Sequence, residues 1–245
     1  MNGIKGVFYR EMCVLRSRIY KTLLASSVSP LLFLLAFGYG IGRYSNVGDT
    51  GYITFLIPGL IAMSSMNQSY GISSEINIAR FYFKTFDEYL LAPVKRWEIV
   101  AGEAIYGIVK GSIPVFIIFT YGYVAGMRAV PNLMFIPALL IHLIIFAMLG
   151  LVIALKVKNH GDQFAVNSFV ITPMIFLSGT FYPVEKMPLV VKMIAQVFPL
   201  TYTTKLIRGS ILDQQIPYGL YFGICFVIAM VLFFLCMKVV DGVEP

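Results

Sequence analysis

Few side chains in this sequence could do chemistry, and most of them stand in unexpected surroundings. Glu75, Glu103, Lys110 and His142 are the ionisable residues inside long apolar stretches, and the amide of Gln68 lies at a depth similar to Lys110 and His142. Placing an ionisable group in hydrocarbon costs several kcal/mol, so each is a candidate for a transport path or a proton relay. Glu103 falls about two turns from Lys110 on the same helical face, which would suit a relay. The alternative is plainer: interhelical hydrogen bonding, or a long side chain reaching back to the interface. Glu75 and Glu103 sit about one turn from a boundary and can reach water from there. The other spans carry no Asp, Glu or His to extend a relay across the membrane.

Catalytic equipment is missing. The segment Gly102 to Lys110 has a second glycine at Gly107, but its lysine comes three residues later instead of next, which is not a phosphate-binding loop. No His or Cys pair has metal-ligand spacing, no Gly-x-Ser-x-Gly elbow occurs, and no soluble segment is long enough to hold a cofactor. The sequence therefore points to no catalytic residue, no metal and no cofactor in this chain. Energy for uphill work would have to come from elsewhere. Of the cysteines Cys13, Cys225 and Cys236, the last two share a face of one helix but lie about 16 Å apart along it, as core residues would.

The elements that carry these residues follow from composition. The chain is 58% hydrophobic and 13% charged, with a mean hydropathy of +0.81. That leaves too few polar groups to cover a water-soluble globule. Helices are expected because a bilayer core of roughly 30 Å needs about 20 helical residues, and open sheets would strand their backbone polar groups in lipid. Six spans are predicted: Thr22 to Gly42, Thr50 to Ser74, Ile99 to Val124, Ala129 to Leu155, Gln163 to Val184 and Gln214 to Met237. Charges throughout Met1 to Lys21 argue against a cleaved signal peptide. With the N-terminus inside, the cytoplasmic segments hold twelve Lys and Arg and the outer segments six. By the positive-inside rule both termini are cytoplasmic. The net charge of +7 flanks helices and is not interleaved with aromatics in a soluble domain, so it speaks for membrane orientation and not for nucleic acid.

The expected fold is thus an all-α, multi-pass membrane protein, with one domain over residues 1–245 and three special segments. In residues 1–21, Ile4, Val7, Phe8, Met12, Leu15 and Ile19 form one stripe opposite Lys5, Arg10, Arg16 and Lys21, as in an interfacial helix whose basic face meets anionic lipid. In residues 80–98, aromatics and charges surround Pro93. There Thr85 can cap a short helix with Asp87 and Glu88 in its first turn, carrying Phe86, Tyr89, Leu90, Leu91 and Ala92 to the stop at Pro93. Such a helix could dock a partner protein or anchor in the interface by its aromatics. In residues 181–217, two short apolar pieces split by Pro199 could form an outer re-entrant hairpin between the fifth and sixth spans.

Three stretches resemble the permease subunits of type-2 ABC exporters, the group that includes polysaccharide, lipo-oligosaccharide, nodulation-factor and drug exporters. They are Tyr52 to Ser64 (YITFLIPGLIAMS), Glu88 to Glu103 (EYLLAPVKRWEIVAGE), and Phe176 to Pro188 (FLSGTFYPVEKMP) with Phe198 to Gly209 (FPLTYTTKLIRG). The resemblance extends over nearly the whole chain, although Phe198 stands where family members often carry Asn. It implies a homodimer of permeases with two cytoplasmic ATPase subunits that bind ATP and Mg, and a location in the inner (plasma) membrane. It makes Thr85 to Pro93 the coupling helix and Gly179, Tyr182 and Pro183 the start of the outer hairpin. The first, second and fifth spans would line the route. The expected function is ATP-driven export of an amphipathic glycan, glycolipid, lipid or drug. An ion-coupled secondary transporter and a non-transporting scaffold are the alternatives.

Overall fold

A computed structural model describes residues 2–41, 46–47, 50–85, 88 and 91–242, which are helical except for one minimal strand pair and the connections. Helix α1 (Asn2–Phe33) passes into a π-helical segment (Leu34–Ile41), after which β1 (Asn46–Val47) pairs antiparallel with β2 (Thr50–Gly51). Then come α2 (Tyr52–Tyr70), α3 (Ile72–Phe81), α4 (Arg96–Val124) and α5 (Phe135–Lys156). A broken run follows, of α6 (His160–Val166), a π-helical turn (Asn167–Ile171) and α7 (Thr172–Leu177). A 3-10 turn (Val184–Lys186) leads to α8 (Leu189–Val197), α9 (Pro199–Ile211) and α10 (Tyr218–Asp241).

Among the described residues, four helices are long and apolar enough to cross a membrane: Gly3–Gly40, Arg96–Val124, Phe135–Lys156 and Tyr218–Asp241. Two further apolar runs are helical but interrupted. The first pauses at Gly71, between α2 and α3. The second widens before Pro173, which has no N–H to give; both the backbone N–H and the hydroxyl of Thr172 turn back to the Asn167 carbonyl. The N-terminal helix does not break at Lys21, where the residue pattern places the end of an interfacial helix. Neither Gly nor Pro occurs between Gly6 and Pro30, so nothing stops the helix there.

The centre of the bundle is α2, whose residues from Phe55 to Met66 are all buried. Small residues make this possible. A Cβ at Gly107 of α4 would lie 2.6 Å from the Cβ of Ala147 on α5, and one at Gly111 would lie 2.9 Å from the Cβ of Ser69 and 3.0 Å from the carbonyl oxygen of Ser65, both on α2. On α5, a Cβ at Gly150 would come within 2.7 Å of the Tyr70 carbonyl oxygen. Helices α2, α4 and α5 therefore meet almost backbone to backbone, the contact that holds helices together where lipid removes the hydrophobic drive. Helix α10 packs beside α5, with Cys225, Leu232 and Cys236 buried, while Phe226, Val227 and Phe234 face outward. All three cysteines are free.

Contacts at the helix ends define two poles. At one, Arg96 bonds to the Val240 carbonyl oxygen at 2.9 Å and approaches Asp241 at 3.3 Å, and the rings of Tyr82 and His160 lie 5.1 Å apart. At the other, the Asn132 backbone N–H reaches the Ser210 carbonyl oxygen at 2.8 Å, and the Tyr52 hydroxyl donates to the Phe181 carbonyl oxygen at 3.1 Å.

Replacing Gly111 by Leu should wedge α4 away from α2 and destabilise the fold by about 3 kcal/mol, as overpacking does. Gly223→Ala, where nothing lies within 4 Å, should be neutral or slightly stabilising. Thermal unfolding of the two variants in neutral detergent checks the contrast.

Candidate functional site

The connection from α3 to α4 lies at the Arg96 pole. Of the segment Thr85 to Pro93, the structure describes Thr85, Glu88, Leu91, Ala92 and Pro93; Phe86, Asp87, Tyr89 and Leu90 lie outside the described residues. Lys84 turns the chain through a left-handed backbone, φ 52°. The Thr85 hydroxyl then accepts a hydrogen bond from Arg10 at 2.7 Å, which ties the connection to α1. A helical hydrogen bond from the Ala92 N–H to the Glu88 carbonyl oxygen, 3.0 Å, precedes the stop at Pro93. Beyond it the Glu98 carboxylate takes up the Lys95 backbone N–H at 3.1 Å and starts α4. The elbow shows apolar surface to the outside: Leu91 is 74% exposed, Phe83 66% and Tyr82 70%, and Trp97 is exposed as well. Clustered exposed apolar residues of this kind mark a surface that something else covers.

The ionisable residues within the bundle fall into separate groups. Glu75 on α3 receives the Lys110 ammonium at 3.0 Å on one carboxylate oxygen and the Tyr106 hydroxyl at 2.8 Å on the other. Glu103 is buried nearby, and neither of its carboxylate oxygens has a hydrogen-bond partner among the described residues. His142 belongs elsewhere. The Ser65 hydroxyl donates to the Ile61 carbonyl oxygen at 2.6 Å, which leaves its lone pairs to accept from His142 Nε2 at 3.0 Å. Gln68 is half-buried and joins neither group. Lys110 thus pairs with Glu75, not with Glu103 on its own face, and no continuous chain of hydrogen bonds links Glu75 to His142 among the described residues.

A polar network absent from the sequence reading joins α2 and α3 to α6. Asn77 donates to Gln163 at 2.6 Å, Gln163 donates to the Tyr70 hydroxyl at 2.9 Å, and Tyr70 donates to Asn167 at 2.7 Å. Gln163 also reaches Ser73 at 3.2 Å. The signal was available: Tyr70, Ser73 and Asn77 recur at helical spacing, as do Gln163 and Asn167.

At the opposite pole, Gly179 takes φ 80°, and a Cβ there would sit 2.8 Å from Val184 Cγ2. Tyr182 is exposed, and Pro183 leads the 3-10 turn. Helix α9 is almost wholly buried behind this turn, whereas α8 buries only Ala195. A side chain on Gly59 would run into the Thr180 carbonyl oxygen, so α2 presses directly on the loop. Arg208 is 8% exposed; its Nη2 donates to the Gly179 and Thr180 carbonyl oxygens at 2.8 and 3.3 Å, and the guanidinium lies 3.9 Å above the Phe55 ring. Burial pushes its pKa down to about 10, with the Glu185 carboxylate working the other way, so the group stays a cation at neutral pH. Partial burial opposes ionisation of Glu185, but the hydrogen bond from Lys205, 2.7 Å, prevails and keeps the carboxyl below its usual range. Sequence reading missed Arg208, counting it only as an outer positive charge.

Among the described residues, no three His, Cys, Asp or Glu side chains stand together as a metal would need. The model of the family described as ABC-2 type transporter matches residues 4–212. Nodulation protein J of Rhizobium leguminosarum bv. viciae is 28% identical over 217 residues, 86% of this chain and 83% of that protein. The inner membrane transport permease YadH of Escherichia coli (strain K12) is 25% identical over 245 residues, 98% of this chain and 94% of its own length.

Lys110→Met would leave the Glu75 carboxylate with only the Tyr106 hydroxyl. It should destabilise the protein by ~3 kcal/mol, and adding Glu75→Gln should recover more than half of that loss. Thermal unfolding of the single and double variants tests this; additive losses would show that the two side chains are uncoupled.

Proposed function

Because this chain belongs to the ABC-2 type transporter family, we propose that it is the membrane-embedded permease of an ATP-driven exporter and contributes no catalytic residue itself. Two copies would pair, and two cytoplasmic ATPase subunits would bind ATP and Mg and dock on the Thr85 to Pro93 elbow. The observation that carries this reading is the exposed apolar elbow of Tyr82, Phe83 and Leu91, tethered by Arg10 to α1 and continuous with α3 and α4. A partner that moves the elbow moves three helices at once.

In this reading the four unbroken helices and the two interrupted runs, 52–81 and 160–177, make six crossings. The elbow pole and both termini face the cytoplasm of the inner membrane, in keeping with the Lys and Arg count. The first 21 residues lie at the interface as the opening part of α1, among anionic lipid. Helices α8 and α9 form the outer re-entrant hairpin, with Gly179, Tyr182 and Pro183 at its start. Tilting of the first, second and fifth crossings opens a route between the two copies, through which an amphipathic glycan, glycolipid, lipid or drug leaves the cytoplasm or inner leaflet.

Leu91→Asp and Phe83→Asp place charge on the proposed docking surface without touching the core. Each should reduce co-purification of an ATPase subunit from detergent extracts by about tenfold or more, with an unchanged thermal midpoint. Transport in reconstituted vesicles that persists without ATP and collapses with the ion gradient would overturn the reading in favour of a secondary transporter. Unaltered ATPase recovery by both variants would overturn the docking assignment.

A further inference from the structure

We propose that the cavity at the hairpin pole binds the anionic headgroup of an amphiphile, a phosphate or carboxylate on an apolar chain, with Arg208 as its principal ligand. The cavity measures ≈ 320 Å³ and is enclosed by α2, the loop around Gly179, α9 and the start of α10. That is within the roughly 300–1,000 Å³ typical of small-molecule sites.

Charge decides what would fit. Three charged side chains line the space: Arg208, Lys205 and Glu185. Lys205 and Glu185 neutralise each other at 2.7 Å. Arg208 has no carboxylate within ion-pair distance among the described residues, and its Nε is buried without an acceptor. With two cations against one carboxylate the site is net positive, and its buried cation, Arg208, has no carboxylate in direct contact. Such a charge is costly to keep, and an incoming anion would relieve it. The guanidinium is also held in place: two backbone carbonyls take Nη2, and the Phe55 ring supports its face. A fork fixed this way loses little freedom on meeting a phosphate or carboxylate. The remaining walls point to the second half of the ligand, since Phe55, Val184, Ile216 and Tyr221 offer apolar and aromatic surface next to the cation.

Stapling of the Gly179–Thr180 backbone to α9 would by itself account for the two Nη2 bonds, but not for a net positive, partly apolar cavity beside them. The inference goes beyond the transport reading, because binding requires neither an ATPase nor a second copy.

The test uses the purified full chain in a neutral maltoside detergent, titrated with hexyl phosphate, inorganic phosphate and hexanol and followed by calorimetry and phosphorus NMR. Hexyl phosphate should bind saturably, inorganic phosphate about tenfold more weakly, and hexanol not at all. Arg208→Gln should weaken hexyl phosphate binding by about tenfold or more, and Arg208→Lys by less. Two rim substitutions give opposite signs: Lys205→Gln should weaken binding, and Glu185→Gln, which frees Lys205, should tighten it several-fold. If Arg208→Gln fails to fold, the rim pair decides. Absence of saturable hexyl phosphate binding, or equal affinities in the two rim variants, would overturn the proposal. Equal affinity for inorganic and hexyl phosphate would overturn the amphiphile assignment.

Discussion

Close contact of backbone on backbone between α2, α4 and α5 is the constraint from which the remaining structure follows. In lipid, apolar side chains gain little by leaving their surroundings for one another, so helices associate through fit and polar contact. Glycines at 107, 111 and 150 let the three helices approach until Ser65 and Ser69 of α2 touch α4 and until Ser69 donates to the Leu143 carbonyl oxygen of α5 at 2.9 Å. The same proximity brings Lys110 within reach of Glu75 and Ser65 within reach of His142. Pairs of this kind, spread over neighbouring helices, set rotation and register. The glycine seam supplies the closeness, and the polar pairs convert it into one arrangement instead of several.

The ionisable side chains within the bundle also join its helices. Glu75 pairs with Lys110 while Tyr106 completes the carboxylate's shell, and the His142 ring is held between Ser65 and Phe146. Glu103 is the exception, buried in the same neighbourhood with neither carboxylate oxygen partnered among the described residues. The network around Gln163 performs for the broken α6 run what glycine packing performs for α4 and α5. A helix interrupted before Pro173 leaves backbone groups to satisfy, and side-chain amides at Asn77, Gln163 and Asn167 anchor the interrupted run to α2 and α3.

Much of this was legible in the residues, and the parts that were not share a cause. Long apolar runs identified α4, α5 and α10, because hydropathy needs no partner to be read. The break at Pro199 divided α8 from α9 as the sequence suggested. Harder to read was anything set by a neighbouring helix. The Lys110 partner was unreadable because Glu75 and Glu103 are equally acidic, and only the folded bundle, which brings Glu75 of α3 to Lys110 of α4, selects one. Arg208 looked like a loop charge since nothing local reveals that α2 will place Phe55 beneath it. The continuity of α1 through Lys21 was obscured by polarity, which changes there without any residue that would stop a helix.

Helix α2 also joins the two poles mechanically. Its nineteen residues extend about 28 Å at 1.5 Å per residue. One end carries Tyr52, Phe55 and Gly59, which hold Phe181, Arg208 and Thr180 respectively. The other end continues into α3 and so to the elbow, with only Gly71 between them. A helix buried along most of its length cannot bend to absorb displacement without opening voids, and densely packed interiors resist this. Motion imposed on α3 must either be taken up at Gly71 or arrive at the hairpin pole. The Gly71 N–H bonded to the Asn67 carbonyl oxygen at 2.9 Å, together with Lys110 braced on Glu75 one turn further on, stiffens that junction. The elbow and the loop around Gly179 are thereby connected through α2 and α3, whose outer ends are gripped by side chains of other helices.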